Sequence, residues 1–266
     1  REVLVKAFSM TSDEIIQQVL ESGLKGRGGA GFPTGLKWKY TAAEKDPEKY
    51  IVCNADEGEP GTFKDREILD RASSKVYGGM AIAGKAMGAR KGFIYLRGEY
   101  RFLLPHLYLE LHKFHKMIAE IGFDFNIEYR MGSGAYICGE ESALFESIEG
   151  FRGEPRNKPP YPTTSGLFSK PTSINNVETL VTAMMIIARG PEMYVKLGTK
   201  DSRGSKVFSI SGDTPIPGIF ELELGMSVQN FVKEFGDGDT KAVQVGGASG
   251  FCVPRKKFSE TIIGFE

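Results

Sequence analysis

Gly26-Arg27-Gly28-Gly29-Ala30-Gly31-Phe32-Pro33-Thr34-Gly35 places five glycines in a short stretch, and Lys37 follows just beyond it. Glycine at this density weakens a helix or a strand, because its backbone loses the most conformational entropy on ordering. The same freedom lets backbone N–H groups surround an anion, and Arg27 and Lys37 add positive charge. The stretch therefore predicts a phosphate-binding loop, with a flexible loop or hairpin as the structural alternative.

The residues before this loop indicate which kind of α/β domain carries it. Thr11 to Glu14 fits a capping box, apolar residues follow at helical spacing from Ile15 to Leu20, and Gly23 suits a left-handed helix end. Gly26-x-Gly28-x-x-Gly31 matches the dinucleotide-binding pattern, but in a Rossmann domain that pattern follows a strand. Because a helix precedes it here, we reject an ordinary Rossmann domain and retain the phosphate loop.

The composition of the chain argues against several classes of protein. The 266 residues carry 34 basic and 34 acidic side chains, so nothing in the overall charge favours nucleic acid or an anionic membrane. The three cysteines, Cys53, Cys138 and Cys252, form no CxxC pair, which argues against a disulfide framework and indicates a reducing compartment. They also build no metal or iron–sulfur site by themselves. We find no signal peptide and no apolar run long enough to span a bilayer, and a start at Arg1 indicates a fragment.

An acidic turn follows the first predicted strand. Tyr50 to Cys53 reads as a buried strand, and Asn54 to Gly61 continues it with Asp56, Glu57 and Glu59. Ligands of open α/β sheets lie at the carboxyl ends of the strands. These carboxylates predict a cation site suited to magnesium, or acceptors for a ring and a ribose, with a solvated acidic turn as the plain alternative.

A second glycine-rich turn comes after a predicted strand at Phe125–Tyr129. It runs from Gly132 to Gly139 and leads into a helix that opens with Glu140 and Glu141. Acidic residues there favour the helix dipole but repel phosphate, so we expect them to face a neutral or hydroxyl-bearing group. Helix capping is the alternative for one of the two glutamates.

A proline-rich segment, Arg152 to Pro171, follows this helix. Its prolines hold the chain semi-rigidly, so Lys158 and Tyr161 are candidates for contacting a ligand, and a plain structural crossover is the alternative. Asn175-Asn176 then caps an apolar helix that reaches Ala188.

The remaining elements complete an α/β layout. Helices are predicted at Lys64–Arg71, Val76–Ala89 and Phe102–Ile121, and a strand at Phe93–Leu96. The last of these helices carries three histidines whose spacing matches no metal motif, so we predict no metal site there. After Gly190 the pattern changes to predicted strands at 207–211, 218–224 and 242–245 and a helix at 227–235. This order favours a small α+β, ubiquitin-like domain at 201–266 after an α/β domain at 1–200.

Taken together, these segments resemble the NADH-binding flavoprotein subunit of respiratory NADH:quinone oxidoreductase (complex I). Related flavin subunits of soluble NAD-dependent hydrogenases and formate dehydrogenases share them, and the unbroken run from Glu59 to Glu67 favours complex I. The residues that carry the resemblance are Gly26 to Trp38, Asn54 to Glu67, Gly134 to Glu141, Lys158 to Pro162, Lys170 to Thr172 and Asn175 to Thr179.

The resemblance implies an atypical Rossmann-like FMN/NADH-binding domain followed by a soluble-ligand-binding β-grasp domain. The positions it places around FMN are Gly26, Arg27, Gly28, Gly29, Lys37, Asn54, Asp56, Glu57, Gly139, Glu140, Asn175, Asn176 and Thr179. It places Phe32, Tyr40 and Tyr161 on the adenine of NADH, Lys158 at the diphosphate, and Glu59, Tyr136 and Glu141 at the nicotinamide ribonucleotide. The carboxylates near the dinucleotide would repel a 2′-phosphate, which favours NADH over NADPH.

The implied reaction is hydride transfer from NADH directly to FMN, without a catalytic residue of the protein, and Glu59 and Glu141 only orient the nicotinamide. Single electrons would then pass to iron–sulfur clusters. The family's C-terminal cluster domain is absent after Glu266, so these clusters are expected on that part and on partner subunits. The implied partners are a thioredoxin-like [2Fe–2S] subunit and a larger iron–sulfur subunit, with no nucleic acid and no direct membrane contact.

The implied location is the peripheral arm on the cytoplasmic or mitochondrial matrix side. Two alternatives stay open: the diaphorase subunit of a soluble hydrogenase or formate dehydrogenase, and a non-catalytic binding scaffold. We expect Cys53 to have a packing role, because reduction of a flavin by NADH needs no thiol.

Overall fold

The computed structural model describes residues 1–265, which form two compact units. The first unit comprises Arg1–Gly58 and Asp65–Pro191, and the second comprises Glu59–Lys64 and the chain from Glu192 onward. The predicted division at residue 200 stays a prediction.

Both units contain helices and strands. The helices are α1 (Glu2–Ser9), α2 (Ser12–Ser22), α3 (Thr34–Ala43), α4 (Lys64–Met87), α5 (Leu104–Glu120), α6 (Glu141–Glu149), α7 (Val177–Arg189), α8 (Pro191–Val195) and α9 (Val228–Phe235). The strands are β1 (Tyr50–Ala55), β2 (Lys91–Leu96), β3 (Asn126–Met131), β4 (Thr172–Asn176), β5 (Ser205–Ile210), β6 (Gly218–Glu223), β7 (Ala242–Val245) and β8 (Phe251–Pro254).

The first unit is built on a parallel sheet of four strands in the order β3-β2-β1-β4, so the predicted mixed α/β class is confirmed. Val52 of β1 lies opposite Phe93 of β2 and Ile174 of β4. These side chains share a buried cluster with Leu144 and Phe145 of α6. Strands of a parallel sheet that is covered on both faces are mostly apolar, and Tyr50 to Cys53 of β1 are all buried.

Local signals at the start of the chain behave as predicted. Thr11 Oγ1 accepts from Glu14 N (3.2 Å), and Thr11 N donates to Glu14 Oε2 (2.7 Å), so the capping box is present at α2. Gly23 ends that helix with φ of 67°. The glycine loop thus lies between α2 and α3, which confirms that a helix rather than a strand precedes it.

One predicted element differs from the structure, and one predicted break is confirmed. The two helices predicted on either side of Ala72 make up the span α4, and they are separated by a kink at Ala72, which is non-helical (φ −145°, ψ 27°). The sequence predicts only a helix capped by Asn175-Asn176 in this region. The structure also has strand β4 directly before α7, with the sequence Thr-Ser-Ile-Asn-Asn. Such a short polar run lacks a strand pattern, and it is ordered by pairing with β1.

The second unit shows the predicted order of two strands, a helix and another strand, followed by β8, which was not predicted. β5 pairs with β6 and β7 pairs with β8, both antiparallel. Val228 of α9 packs with Val253, Phe258 and Ile263 in its core. No helix within residues 1–265 is long and apolar enough to cross a membrane.

Candidate functional site

The carboxyl edge of the parallel sheet collects most of the polar residues singled out in the sequence. Asn54 and Asp56 come at the end of β1, and Asn175 and Asn176 at the end of the neighbouring β4. Asn54 Nδ2 donates to Gly139 O (2.8 Å), so the second glycine turn is attached to this edge. The topology therefore brings the acidic turn, the second glycine turn and the Asn-Asn pair to one edge of one sheet.

The first glycine loop is closed on itself and fastened to α7. Gly26 N donates to Phe32 O (2.9 Å), and the positive φ values of Gly29 (122°) and Gly31 (65°) allow the turn between them. Arg27 N donates to Thr179 Oγ1 (2.9 Å) in the first turn of α7. The loop is therefore held beside the N-terminus of a helix, where backbone N–H groups and the helix dipole favour an anion.

The first glycine loop packs closely against the end of β4 and leaves little room for a side chain at Gly28. A Cβ atom added at Gly28 would lie 3.2 Å from Asn176 Cβ, so the loop backbone passes directly over the end of β4. Asn176 Nδ2 donates to Asp65 Oδ2 (2.6 Å), and its Oδ1 accepts from Glu178 N (3.0 Å) as the cap of α7.

Two cations belong to the same region. The Arg27 side chain is only 2% exposed. Lys37 Nζ on α3 donates to Ile174 O (2.9 Å) and lies 5.9 Å from the centre of the Phe32 ring. Burial lowers the pKa of Lys37, the nearby Glu141 opposes this effect, and Lys158 adds to it. Its neighbour Trp38 donates from Nε1 to Asn175 Oδ1 (3.3 Å), which ties α3 to β4.

Asp56 is a carboxylate in an unusual position. Its side chain lies close to Gly132 and Gly139, where added Cβ atoms would come 3.4 Å from Oδ1 and 3.9 Å from Oδ2. Oδ2 is buried and has no hydrogen-bond partner among the described residues. Burial raises the pKa of Asp56 to about 6, Arg97 counteracts this, and Glu99 reinforces it. A buried acceptor of this kind suits a ligand that donates a hydrogen bond.

Glu57 is engaged by the protein itself. Its carboxylate accepts from Asp65 N (2.9 Å), Arg66 N (3.2 Å) and the Tyr100 hydroxyl (2.9 Å), and it is 6% exposed. Burial and this carboxylate together raise the pKa of Tyr100. Glu57 thus stabilises the start of α4, and its backbone carbonyl accepts from the Arg97 guanidinium.

Glu140 and Glu141 differ in what they contact. Glu140 Oε2 accepts from Ser142 N (2.8 Å) and Ala143 N (3.0 Å), so the capping alternative is confirmed for Glu140. Lys158 Nζ contacts Glu140 Oε1 (3.1 Å) and Glu141 Oε1 (2.6 Å). Burial lowers the pKa of Lys158, but the two carboxylates outweigh it and the net shift is upward. A positive charge therefore accompanies the acidic helix start.

The aromatic residues of the predicted site are exposed. Phe32 is 44% exposed, Tyr40 51%, Tyr136 63% and Tyr161 60%, so their rings offer stacking surface in the first unit. Tyr136 also packs on the backbone, because a Cβ atom at Gly58 would lie 3.2 Å from Tyr136 Cδ2.

Glu59 belongs to the second unit, and its Oε1 accepts from Ser249 N and Ser249 Oγ, both at 3.0 Å. The other predicted site residues lie in the first unit. Sequence reasoning assigned no role to four residues that contact predicted site residues or their helix, namely Trp38, Asp65, Tyr100 and Arg156. Trp38 and Asp65 lie within the segments that carry the resemblance, but their contacts join distant parts of the chain and are not visible in a local pattern.

The residues present fit a cofactor that combines a phosphate with a polar ring. The glycine loop beside α7, together with Arg27 and Lys37, supplies donors and positive charge for the phosphate. Asp56 Oδ2, which has no hydrogen-bond partner within residues 1–265, supplies an acceptor for a ring or chain donor. FMN has both kinds of group.

The chain is similar to a known family and to known proteins. The family described as Nuo51 FMN-binding domain matches residues 19–184. The chain is 45% identical to the NAD-reducing hydrogenase HoxS subunit alpha of Cupriavidus necator, over 100% of this chain and 45% of that protein. It is 46% identical to a subunit of the NADH-quinone oxidoreductase of Aquifex aeolicus, over 89% of this chain and 57% of that protein.

A solved structure is also similar. A chain of an NAD+-reducing [NiFe]-hydrogenase in its H2-reduced state superposes with a TM-score of 0.92 at 43% sequence identity. The match covers 97% of this chain and 46% of that one. The chain therefore spans about half the length of the relatives that it matches.

Proposed function

The chain belongs to the family of the Nuo51 FMN-binding domain, and from that premise we propose that it is the NADH-oxidising module of an FMN-dependent NADH dehydrogenase. The observation that carries the proposal lies at the carboxyl edge of the sheet. There a glycine loop beside the start of α7 and a Lys–Glu–Glu cluster at the start of α6 meet in one unit. These features support a site for a phosphorylated flavin beside a site for a dinucleotide.

FMN is proposed to bind along the glycine loop and the end of the sheet. Backbone N–H groups of the loop, with Arg27 and Lys37, would hold its phosphate. Asp56 would accept from the ring or the ribityl chain through the buried Oδ2. The full proposed set is Gly26, Arg27, Gly28, Gly29, Lys37, Asn54, Asp56, Glu57, Gly139, Glu140, Asn175, Asn176 and Thr179.

NADH is proposed to bind against the exposed rings and the α6 cluster. Phe32, Tyr40 and Tyr161 would stack on its adenine, and Lys158 would contact the diphosphate. Tyr136 and Glu141 would hold the nicotinamide ribonucleotide, and the role of Glu59 stays a prediction. On diphosphate binding Lys158 would turn from Glu141 towards the phosphates, which frees Glu141 to accept from ribose hydroxyls.

The protein's contribution to the reaction is orientation and electrostatics. The chemistry that bound FMN supplies is two-electron oxidation of NADH followed by one-electron transfer. No side chain of this chain is proposed as nucleophile, acid or base. Cys53 is fully buried, in keeping with a packing role.

Electron acceptors and location belong to the proposal as well. We propose that electrons leave to iron–sulfur clusters on another part of the protein and on partner subunits, among them a thioredoxin-like [2Fe–2S] subunit and a larger iron–sulfur subunit. The NADH-binding subunit of complex I, in a peripheral arm on the cytoplasmic or matrix side, is one setting. The flavin subunit of a soluble NAD-linked hydrogenase or formate dehydrogenase is the alternative, and the 45% identity to the hydrogenase subunit is matched by the 46% identity to the NADH-quinone oxidoreductase subunit.

An anaerobic visible spectrum of the purified protein with FMN, recorded before and after addition of NADH, tests the proposal. We expect protein-bound flavin absorbance that NADH bleaches and NADPH bleaches far less. Bound flavin that NADH leaves unbleached would overturn the dehydrogenase assignment. Protein that takes up no flavin would favour the non-catalytic scaffold.

A further inference from the structure

Arg156 is the most highly connected side chain of the proline-rich segment, and nothing in the proposed ligand contacts uses it. Its Nε contacts Glu146 Oε1 (2.5 Å) and its Nη2 contacts Glu149 Oε2 (2.7 Å), both on α6. Its Nη1 donates to Gly166 O (2.9 Å), at the far end of the same segment. The planar guanidinium is suited to this, because it presents several donors in fixed directions.

The backbone of Arg156 also contacts α6. Arg156 N donates to Ser142 Oγ (2.9 Å), and the same hydroxyl donates to Glu140 Oε2 (2.5 Å). Glu140 in turn contacts Lys158 through its other carboxylate oxygen. A continuous series of polar contacts therefore runs from Arg156 through Ser142 and Glu140 to Lys158.

Geometry limits how far Lys158 can move while Arg156 is held. Two residues of extended chain span about 7 Å at most, so fixing Arg156 on α6 keeps the Lys158 backbone beside the same helix. The Lys158 side chain is 29% exposed and contacts two carboxylates at the helix start. Partly exposed ion pairs of this kind stabilise weakly by themselves. Arg156 combines two ion pairs with two further hydrogen bonds, through its side chain to Gly166 O and through its backbone N to Ser142 Oγ, so it holds this part of the segment more firmly than Lys158 does.

We propose that Arg156 is a positioning residue for the dinucleotide site, which orders the proline-rich segment on α6 so that Lys158 meets the diphosphate. This inference rests on the proposed function, since it assumes that Lys158 contacts the diphosphate. Arg156 itself touches neither cofactor nor substrate. Its effect is to complete the ordering of the segment before the ligand arrives, which removes that cost from binding.

A double-mutant cycle with ADP-ribose as the probe tests the inference. The full-length protein, in its assembly and loaded with FMN, is compared as Arg156→Ala, Lys158→Ala and the double variant. We expect Arg156→Ala to weaken ADP-ribose binding about tenfold, or about 1.4 kcal/mol, with the FMN content unchanged. In the Lys158→Ala background the same substitution should have little further effect, because its target is gone.

Arg152→Ala is the matched control, since Arg152 lies on the same segment but pairs with Glu154 at the surface, with side chains 88% and 65% exposed. It should leave ADP-ribose binding unchanged. Equal losses from Arg156→Ala in both backgrounds would show a general effect on stability and overturn the inference. If Arg156→Ala does not fold, Arg156→Lys takes its place in the cycle. Its loss should be smaller than that of alanine because lysine keeps the positive charge, and not zero because lysine cannot make the same fork of contacts.

The outcomes separate this inference from the proposed function. If Lys158→Ala weakens ADP-ribose binding and Arg156→Ala does not, only the role of Arg156 is wrong. If Lys158→Ala leaves the affinity unchanged, the diphosphate contact is wrong, and the inference that rests on it is overturned too.

Discussion

At the scale of single residues, Asp56 is a candidate binding residue whose burial destabilises the ligand-free protein. The chain places a carboxyl between two glycine segments and leaves one oxygen buried without a partner among the described residues. Such a group costs free energy in the ligand-free protein. That cost is acceptable where a ligand supplies the missing hydrogen bond.

The pH dependence of stability follows from the position of Asp56. Burial raises its pKa from the ordinary value of 3.8 to about 6, so between these values the folded protein binds the proton more tightly than the unfolded chain. Stability of the ligand-free protein should therefore fall as the pH rises from about 4 to about 6, and remain lower above that range.

We expect Asp56→Asn to remove this penalty. At pH 7.5 the ligand-free variant should be more stable than the wild type by on the order of 1 kcal/mol, less than the full pKa shift because the residue is partly exposed. Urea unfolding followed by the fluorescence of Trp38, the one tryptophan of the chain, measures this in the first unit. The exposed Asp70→Asn is the control, and equal gains at pH 4 and pH 7.5 would contradict the argument.

At the scale of elements, the close approach of α4 to α7 depends on small residues. A Cβ atom at Gly79 would lie 2.2 Å from Leu180 O, a backbone atom that cannot move aside. A Cβ atom at the neighbouring Gly78 would meet Met184 Sδ at 2.7 Å, near the end of a flexible side chain. The two adjacent glycines of α4 therefore have different roles.

Alanine substitutions at these two positions should separate packing from helix propensity. Gly79→Ala should destabilise the first unit by about 3 kcal/mol, because α7 must shift as in overpacked cores. Gly78→Ala should be within about 1 kcal/mol of the wild type, since alanine favours the helix and Met184 can rotate. Thermal unfolding followed by Trp38 fluorescence measures both, and equal losses would show that the contact with Leu180 is not decisive.

Helices and strands could be predicted from the sequence where neighbouring residues form a strong capping or apolar pattern. The capping box of α2, the apolar strand β1 and the caps of α6 and α7 are encoded by neighbouring residues. Strand β4 was not predictable, because its polar sequence becomes a strand only through its pairing with β1. The break at Ala72 inside α4 was predictable, because the helical pattern stops at Arg71 and resumes at Val76.

At the scale of the whole molecule, binding of FMN should be visible as stability. A ligand that binds only the folded protein stabilises it by about 2.7 kcal/mol at one hundred times its Kd. We expect FMN to raise Tm markedly more than riboflavin at equal concentration, because riboflavin lacks the phosphate that the glycine loop is proposed to hold. Lys37→Gln should reduce the shift given by FMN and leave that of riboflavin nearly unchanged. Equal shifts for both flavins would exclude the loop as the phosphate site.

The sequence by itself determined the kind of molecule and the kind of site. Glycine density, strand-end carboxylates and helix caps are local features, because each depends on the conformational freedom or the hydrogen bonding of a few adjacent residues. They were enough to predict the α/β class and to choose candidate residues from the glycine loop to Thr179.

Tertiary structure alone decided how these residues work together. The contact of Trp38 with Asn175, the pairing of Lys158 with Glu141 and the anchoring of Arg156 on α6 join residues that only folding brings close. Burial around Asp56, and with it the raised pKa, likewise depends on which segments cover it. Desolvation and hydrogen bonding between distant segments depend on three-dimensional distance, which the order of residues along the chain does not specify.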